Sequence, residues 1–210
     1  MKLFGYFRSS AAYRVRIALN LKRIEVEHVP VHLLRGEQRR EEFLEKNPQG
    51  LVPALELDDG TVLTQSLAII EFLETLQPEP RLIPADSVLA AKVRAVALTV
   101  ACEIHPLNVV RVLDYLKEEL HQGEEEVGAW IRHWILNGGL DSIEQTIAPA
   151  PFCFGEKPTL ADVCLIPQLF NARRYATPLD HLPKILAVEA ACAELPAFRA
   201  ADPFQQKDAE

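Results

Sequence analysis

The sequence predicts an α+β domain of order βαβαββα followed by an all-α domain. Three observations predict it. Strand-like and helix-like patterns alternate through the first 76 residues, a proline-bearing connector follows at Gln77-Pro78-Glu79-Pro80, and helical periodicity fills most of what remains.

Residues 2–7 form a short β-like run that stops at Arg8 and the pair Ser9-Ser10. A helix follows over 12–21, with Val15, Ile17, Ala18, Leu19 and Leu21 on its apolar side. Residues 26–31 read as a second strand and 38–46 as a polar helix. Residues 52–56 and 62–64 read as a hairpin about the turn Asp58-Asp59-Gly60. Residues 66–76 complete the first domain as an amphipathic helix. The boundary is placed so that 1–80 is one domain and 86–210 the other. Within the second, helices are predicted over 87–100, 108–120, 127–147, 160–172 and 186–194. Pro106 breaks the run between the first two. Trp130 and Trp134, four residues apart, share one helix face. The polar stretch after Pro203 is expected to fray.

Composition narrows the function classes. The 210 residues are 49% hydrophobic and 25% charged, as in an ordinary globular protein. No apolar run reaches membrane-spanning length, and the opening strand leaves no room for a targeting peptide. The net charge is −8: residues 1–81 hold 11 basic and 12 acidic side chains, and residues 82–210 hold 11 and 18. So acidic a second half argues against nucleic acid or an anionic membrane as partner. Cys102, Cys153, Cys164 and Cys192 lie far apart and form no CxxC pair, which suits free thiols in a reducing cytoplasm and gives no metal set.

Three short segments of the first domain can carry chemistry. Ser9 and Ser10 sit where a strand gives way to a helix, beside the unpaired N–H groups of its first turn. A hydroxyl there either caps the helix or donates a hydrogen bond to an anion such as a thiolate. In Asn47-Pro48-Gln49-Gly50-Leu51-Val52-Pro53, a proline at the mouth of a strand removes a ladder donor. A cis bond there would expose the backbone of Val52 to an extended peptide-like ligand. Gln65-Ser66 precedes an apolar helix, and Ser66 is a cap candidate whose surroundings suit a carboxylate.

In this order, the segments resemble the glutathione transferases. Ser9-Ser10, Arg14-Val15-Arg16-Ile17-Ala18-Leu19, Asn47-Pro48, Val52-Pro53 and Gln65-Ser66-Leu67-Ala68-Ile69-Ile70-Glu71 are similar to the pattern of the zeta class, which includes maleylacetoacetate and maleylpyruvate isomerases. The resemblance covers nearly the whole chain. It implies a thioredoxin-like N-terminal domain, an all-helical C-terminal domain, bound glutathione, and a homodimer. By the same resemblance Ser9 would hold the glutathione sulfur with Ser10 nearby, Val52 and Pro53 would meet its cysteinyl backbone, and Gln65 and Ser66 its γ-glutamyl end. In the helical domain, Gln168-x-x-Asn171-Ala172-Arg173-Arg174-Tyr175 resembles the zeta segment whose arginine faces the substrate carboxylate, and Arg174 matches that position. Cys102-Glu103-Ile104-His105-Pro106-Leu107-Asn108 resembles bacterial members, with His105 and Asn108 as substrate-side candidates. Thr159-Leu160-Ala161-Asp162 has capping-box form and reads as structural. One departure stands out: the zeta pattern Ser-Ser-Cys-x-Trp has Ala11 and Tyr13 here.

The implied reaction is cis–trans isomerisation of a maleyl diacid, maleylacetoacetate to fumarylacetoacetate, in aromatic amino-acid catabolism. A thiolate adds to the double bond, the resulting single bond turns, and the thiolate leaves. The protein must lower the thiol pKa, for which Ser9 and the helix end serve. It must also steady negative charge and hold carboxylates, for which Arg8 and Arg174 serve. Maleylpyruvate isomerisation and general transferase or dehalogenase activity are the enzymatic alternatives. A catalytically silent binding module is the alternative that Ala11 leaves open.

Overall fold

A computed structural model describes residues 1–210. The chain divides into two compact units, Met1–Leu82 together with Ala193–Glu210, and Ile83–Cys192.

The first unit is built on a four-stranded sheet of order β2-β1-β3-β4. Its strands are β1 (Lys2–Gly5), β2 (Glu27–Pro30), β3 (Ala54–Glu56) and β4 (Val62–Thr64). β1 pairs parallel with β2, as the intervening helix α1 (Ser10–Lys22) requires, and antiparallel with β3. The hairpin β3–β4 closes the edge, with Leu55 opposite Leu63. Alternation along the strands sends Phe4 and Ala54 to one face, where they join Tyr6, Phe7, Val31, Phe43 and Val52 in an apolar cluster. Phe43 comes from the single-turn helix α2 (Glu41–Leu44). Helix α3 (Ser66–Leu76) runs beside α1, which approaches the sheet closely: a Cβ on Gly5 would sit 3.3 Å from that of Ala12.

The second unit is helical. It contains α4 (Ser87–Leu98), α5 (Val110–Glu118), α6 (Glu124–Ile135), α7 (Asp141–Thr146), α8 (Leu160–Arg174) and α9 (Pro183–Ala193). None of the helices is long and apolar enough to cross a membrane. Two of the predicted helices, 87–100 and 127–147, are not regular throughout. α4 passes into a π-helical segment, Thr99–Ile104, and α6 into another, Leu136–Leu140. The reason is packing between them: a Cβ on Gly139 would lie 2.4 Å from Ile104 Cδ1, and one on Gly138 would lie 3.2 Å from the Glu103 carbonyl oxygen. Pro106 does interrupt the next stretch, in the 3-10 turn His105–Asn108.

Two further differences from the sequence reading concern the first unit. The predicted helix 38–46 is a 3-10 turn, Glu37–Arg39, followed by α2. The stretch 193–210, placed by sequence in the helical domain with a frayed end, packs with the first unit instead. It forms α10 (Pro196–Ala201), which lies against α1, and a 3-10 turn, Pro203–Gln205. Beyond it, Asp208 accepts a hydrogen bond from the Phe7 N–H at 3.0 Å, and Glu210 pairs with Arg35 at 2.6 Å. Specific partners therefore outweigh the entropy that would fray so polar a segment.

Candidate functional site

In the first unit the site residues converge on the ends of three elements. Ser9 is the N-cap of α1, with extended backbone, and its Oγ accepts from the Ala12 N–H at 3.2 Å. That bond uses one lone pair and leaves the hydroxyl hydrogen available to donate. Of the two readings open for this pair, the cap therefore falls to Ser9, and it does not exclude the anion-facing one. Ser10 is the first helical residue and is buried. Arg8 lies beside them with its guanidinium over the Phe7 ring at 5.1 Å, and Nη2 donates to the Tyr6 hydroxyl at 3.0 Å. Ala11 and Tyr13, where the zeta pattern has Cys and Trp, are both buried, and the Tyr13 ring packs against the Arg16 guanidinium at 5.2 Å.

The Val52–Pro53 bond is cis, and both residues are buried. Neither the N–H nor the C=O of Val52 pairs with another backbone group, because β3 begins only at Ala54. The preceding loop is tied by Asn47, whose Nδ2 donates to the Leu51 carbonyl at 2.7 Å while Oδ1 accepts from the Gln49 N–H at 3.1 Å. Gly50 takes a positive φ of 62° there, and a Cβ on it would press on the Gln38 carbonyl at 3.0 Å.

Ser66 is not the cap of α3, as its position in the sequence suggested. It is the first helical residue, and the cap position belongs to Gln65, whose φ is 68° and whose side chain makes no capping bond. Gln65 turns its amide aside to donate to Gln49 Oε1 at 3.0 Å. The N-terminus of α3 is thus left without a side-chain cap and without an acidic residue in its first turn. An uncapped, electropositive helix end suits a carboxylate.

The buried Arg14 links this end to α1: its Nη1 donates to Ser66 Oγ at 3.2 Å. Arg14 and Gln49 are contributors that sequence reasoning did not single out. An arginine one helical turn beyond the serines, flanked by the apolar residues of α1 rather than by other polar ones, is the signal that could have found the first.

The second unit holds the remaining candidates. His105 starts the 3-10 turn and is half-buried; Asn108 ends it and is buried, with Nδ2 donating to the Ile104 carbonyl at 3.0 Å. The buried Asn108 Oδ1 has no hydrogen-bond partner. Trp130 steadies this turn by donating Nε1–H to the Leu107 carbonyl at 2.8 Å, and its ring lies 5.7 Å from that of Trp134. The adjacent arginines at the end of α8 differ sharply. Arg173 is committed to Glu189, which raises its pKa through their hydrogen bond. Arg174 is exposed, stacks over Tyr175 at 5.3 Å and reaches only the Asn171 amide oxygen, at 3.3 Å. At the start of α8, Asp162 is fully buried and accepts from Thr159 N–H at 2.7 Å, Thr159 Oγ1 at 2.9 Å and Cys153 N–H at 2.8 Å. That segment is structural, as its capping-box form implied. No group of three His, Cys, Asp or Glu side chains is placed to hold a metal ion.

Residues 3–81 match the family model described as glutathione S-transferase, N-terminal domain, and residues 135–200 match that of the C-terminal domain. The chain belongs to the glutathione S-transferases. This transferase is 48% identical to maleylacetoacetate isomerase of Pseudomonas aeruginosa, over 99% of its own length and 98% of the relative's. It superposes on a holo structure of maleylpyruvate isomerase, described as a bacterial glutathione S-transferase of the zeta class, with a TM-score of 0.96 at 45% identity, both chains covered in full. It matches maleylacetoacetate isomerase of Methylobacterium extorquens, solved with malonate and glutathione bound, equally well in fold (TM-score 0.96), at 36% identity and again over the whole of both chains. The transferase is thus of the zeta class, with the thioredoxin-like and helical domains of that fold.

Proposed function

We propose that the chain is a glutathione-dependent cis–trans isomerase of maleyl diacids, converting maleylacetoacetate to fumarylacetoacetate in the breakdown of aromatic amino acids. The observation that carries this reading is a trio of groups in the first unit: the Ser9 hydroxyl at the N-terminus of α1, the Val52 backbone before cis-Pro53, which no other backbone group pairs, and the uncapped N-terminus of α3. They fit the thiol, the cysteinyl backbone and the γ-glutamyl carboxylate of glutathione in turn.

When bound, glutathione supplies a thiolate that adds reversibly to the conjugated double bond and so permits rotation. The chain's own residues do the rest. Ser9 donates its hydroxyl hydrogen to the sulfur, and the α1 N-terminus with buried Ser10 adds positive potential, so the thiol ionises more readily. Val52 accepts and donates backbone hydrogen bonds as an added strand would, with Pro53 fixing the bend. Gln65 and Ser66 hold the γ-glutamyl end, Ser66 being oriented by Arg14. We assign the diacid's carboxylates to Arg8 and Arg174, whose guanidinium groups carry no carboxylate partner of the protein and offer planar paired donors. His105 and Asn108 complete the substrate side. The loss of the motif cysteine at Ala11 is compatible with this scheme, because the reacting sulfur belongs to glutathione.

The fold match to a maleylpyruvate isomerase favours a second reading, the same chemistry on the shorter diacid. Turnover of the two maleyl substrates, each with and without glutathione, tests both. Glutathione-dependent turnover of either diacid supports isomerase function, and the faster one identifies the substrate. Glutathione conjugates accumulating without isomerisation would favour general transferase activity, and absence of glutathione binding would favour a silent module. We also propose a cytoplasmic homodimer; light scattering giving the mass of one chain would refute the dimer.

A further inference from the structure

We propose that Asp208, together with Arg16, is a positioning residue for the turn that carries Ser9, so that the segment 202–210 is a working part of the glutathione site. The proposal rests on the reading of Ser9 as the group that meets the glutathione sulfur.

Phe7 lies two residues before Ser9, and both of its backbone polar groups are taken by charged side chains. Its N–H donates to Asp208 Oδ2 at 3.0 Å, and its carbonyl accepts from Arg16 Nη2 at 3.0 Å. The Tyr6 carbonyl accepts the Ser9 N–H at 2.9 Å and a longer contact from Arg16 Nη1 at 3.5 Å. The same guanidinium sends Nε to the Ala201 carbonyl at 3.0 Å. One buried cation therefore joins the turn before α1 to the last residue of α10, and one carboxylate from the segment that follows returns to the turn. Burial brings the Arg16 pKa down to about 10, while Asp208 and Asp202 pull it upward, so the guanidinium stays charged at neutral pH.

The segment has its own internal order. Asp202 Oδ1 accepts from the Phe204 N–H at 2.8 Å, and Gln206 Nε2 reaches back to the Ala200 and Asp202 carbonyls at 3.0 and 2.8 Å. Ala209 packs against the apolar cluster that holds Phe4, Tyr6 and Phe7. Glu210 pairs with Arg35 at 2.6 Å and meets the His32 ring nitrogen at 3.2 Å. Asp208 is thus presented to Phe7 from both sides by anchored neighbours. A hydroxyl that must face a developing thiolate loses effect with small displacements, which gives this anchoring a functional consequence.

The test is Asp208→Ala and Asp208→Asn in the full chain, each measured for glutathione Kd by calorimetry, for KM of glutathione and of the diacid, and for hydrogen exchange of residues 3–13 without ligand. Asp208→Ala should raise the glutathione Kd roughly fivefold to tenfold, the scale of a lost hydrogen bond to a charged group only partly transmitted to the ligand. It should speed exchange in 3–13 and leave the diacid KM unchanged. Asp208→Asn, which keeps an acceptor for the Phe7 N–H, should recover most of the affinity. An unchanged Kd in Asp208→Ala overturns the proposal, including when the variant is less stable to heat. If the wild-type chain binds no glutathione, the functional reading fails by itself. The exchange measurement then decides the clamp: faster exchange supports it and unchanged exchange overturns it.

Discussion

Replacing Ser9 by alanine separates two jobs of one oxygen. As the α1 cap it accepts from Ala12 N–H at 3.2 Å, toward the long end for such a bond. Its loss should cost about 0.5–1 kcal/mol of stability. For a chain of this size that lowers the melting temperature by a few degrees, about 2–4 °C per kcal/mol. As donor to a thiolate, the hydroxyl makes a charge-assisted bond worth about 1.5–3 kcal/mol. If that bond forms in the transition state, its removal cuts kcat/KM about tenfold to a hundredfold. The sign of the accompanying pH effect follows from the same bond: without the donor the bound thiol's pKa rises, so the rate profile moves to higher pH and part of the loss is recovered there. Ser9→Gly separates the roles, since glycine at a cap costs only a few tenths of a kcal/mol relative to serine. Steady-state kinetics at several pH values, with thermal melts of both variants and of Ser10→Ala, make the assay. Near-normal activity in Ser9→Ala and Ser9→Gly, or a larger loss in Ser10→Ala, would refute the assignment of the sulfur to Ser9.

Four further outcomes follow from the second unit. Arg174→Ala should raise the diacid KM about tenfold or more while leaving glutathione affinity intact, because a planar donor pair to a carboxylate is lost; Arg173→Ala, which only breaks the pair with Glu189, should change neither constant. Asp162→Ala strands two buried backbone donors and the Thr159 hydroxyl, at about 1–3 kcal/mol for each unsatisfied group, so denaturant melts should show a severe loss or no folded protein. Burial pushes the thiol pKa of Cys153 and Cys192 well above the ordinary range, so both stay protonated in the folded chain while the unfolded chain ionises them above about pH 8.5. Stability is accordingly retained below that pH and falls above it by about 1.4 kcal/mol per pH unit for each thiol. In the native state alkylation should mark only Cys102, the one exposed cysteine; rapid modification of the other three would contradict the burial.

What could be read from the sequence depended on how local its cause was. Helix α3 spans Ser66–Leu76, as its amphipathic pattern predicts, because the turn geometry at Gln65 and the apolar face lie within a dozen residues. Strand β4 was likewise legible from its hairpin turn. The π-helical segments were not, since Thr99–Ile104 widens against Gly138 and Gly139, some 40 residues away in the chain. The cap of α3 lies one residue before the place local pattern indicates: Ser66 has the composition of a cap, whereas the backbone gives that position to Gln65. The docking of 202–210 was invisible to local pattern: a polar, proline-bearing tail has the composition of a frayed end, and its partners Phe7, His32 and Arg35 lie at the other end of the sequence. Among the proposed site residues, Ser9, Val52 and Ser66 stand out from local pattern, while Arg14 and Asp208 reach Ser66 and Phe7, partners that only the fold brings near.

The motif Arg14-Val15-Arg16 shows why so short a string is specific. Residues two apart on a helix point to nearly opposite sides. Arg14 accordingly reaches the Ser66 hydroxyl at the start of α3, and Arg16 reaches the Tyr6, Phe7 and Ala201 carbonyls on the other side. Both side chains are almost wholly buried, a costly placement for a cation that only well-aimed acceptors offset. Lysine in place of Arg16 would keep the charge and lose the fork that spans three carbonyls. A single turn of α1 therefore braces the turn that carries Ser9 against the closing segment and, from its opposite face, orients the serine at the uncapped end of α3. On the proposed reading, one rigid helix holds the two ends of the glutathione site in register, through Arg14 at the α3 end and Arg16 at the turn that carries Ser9.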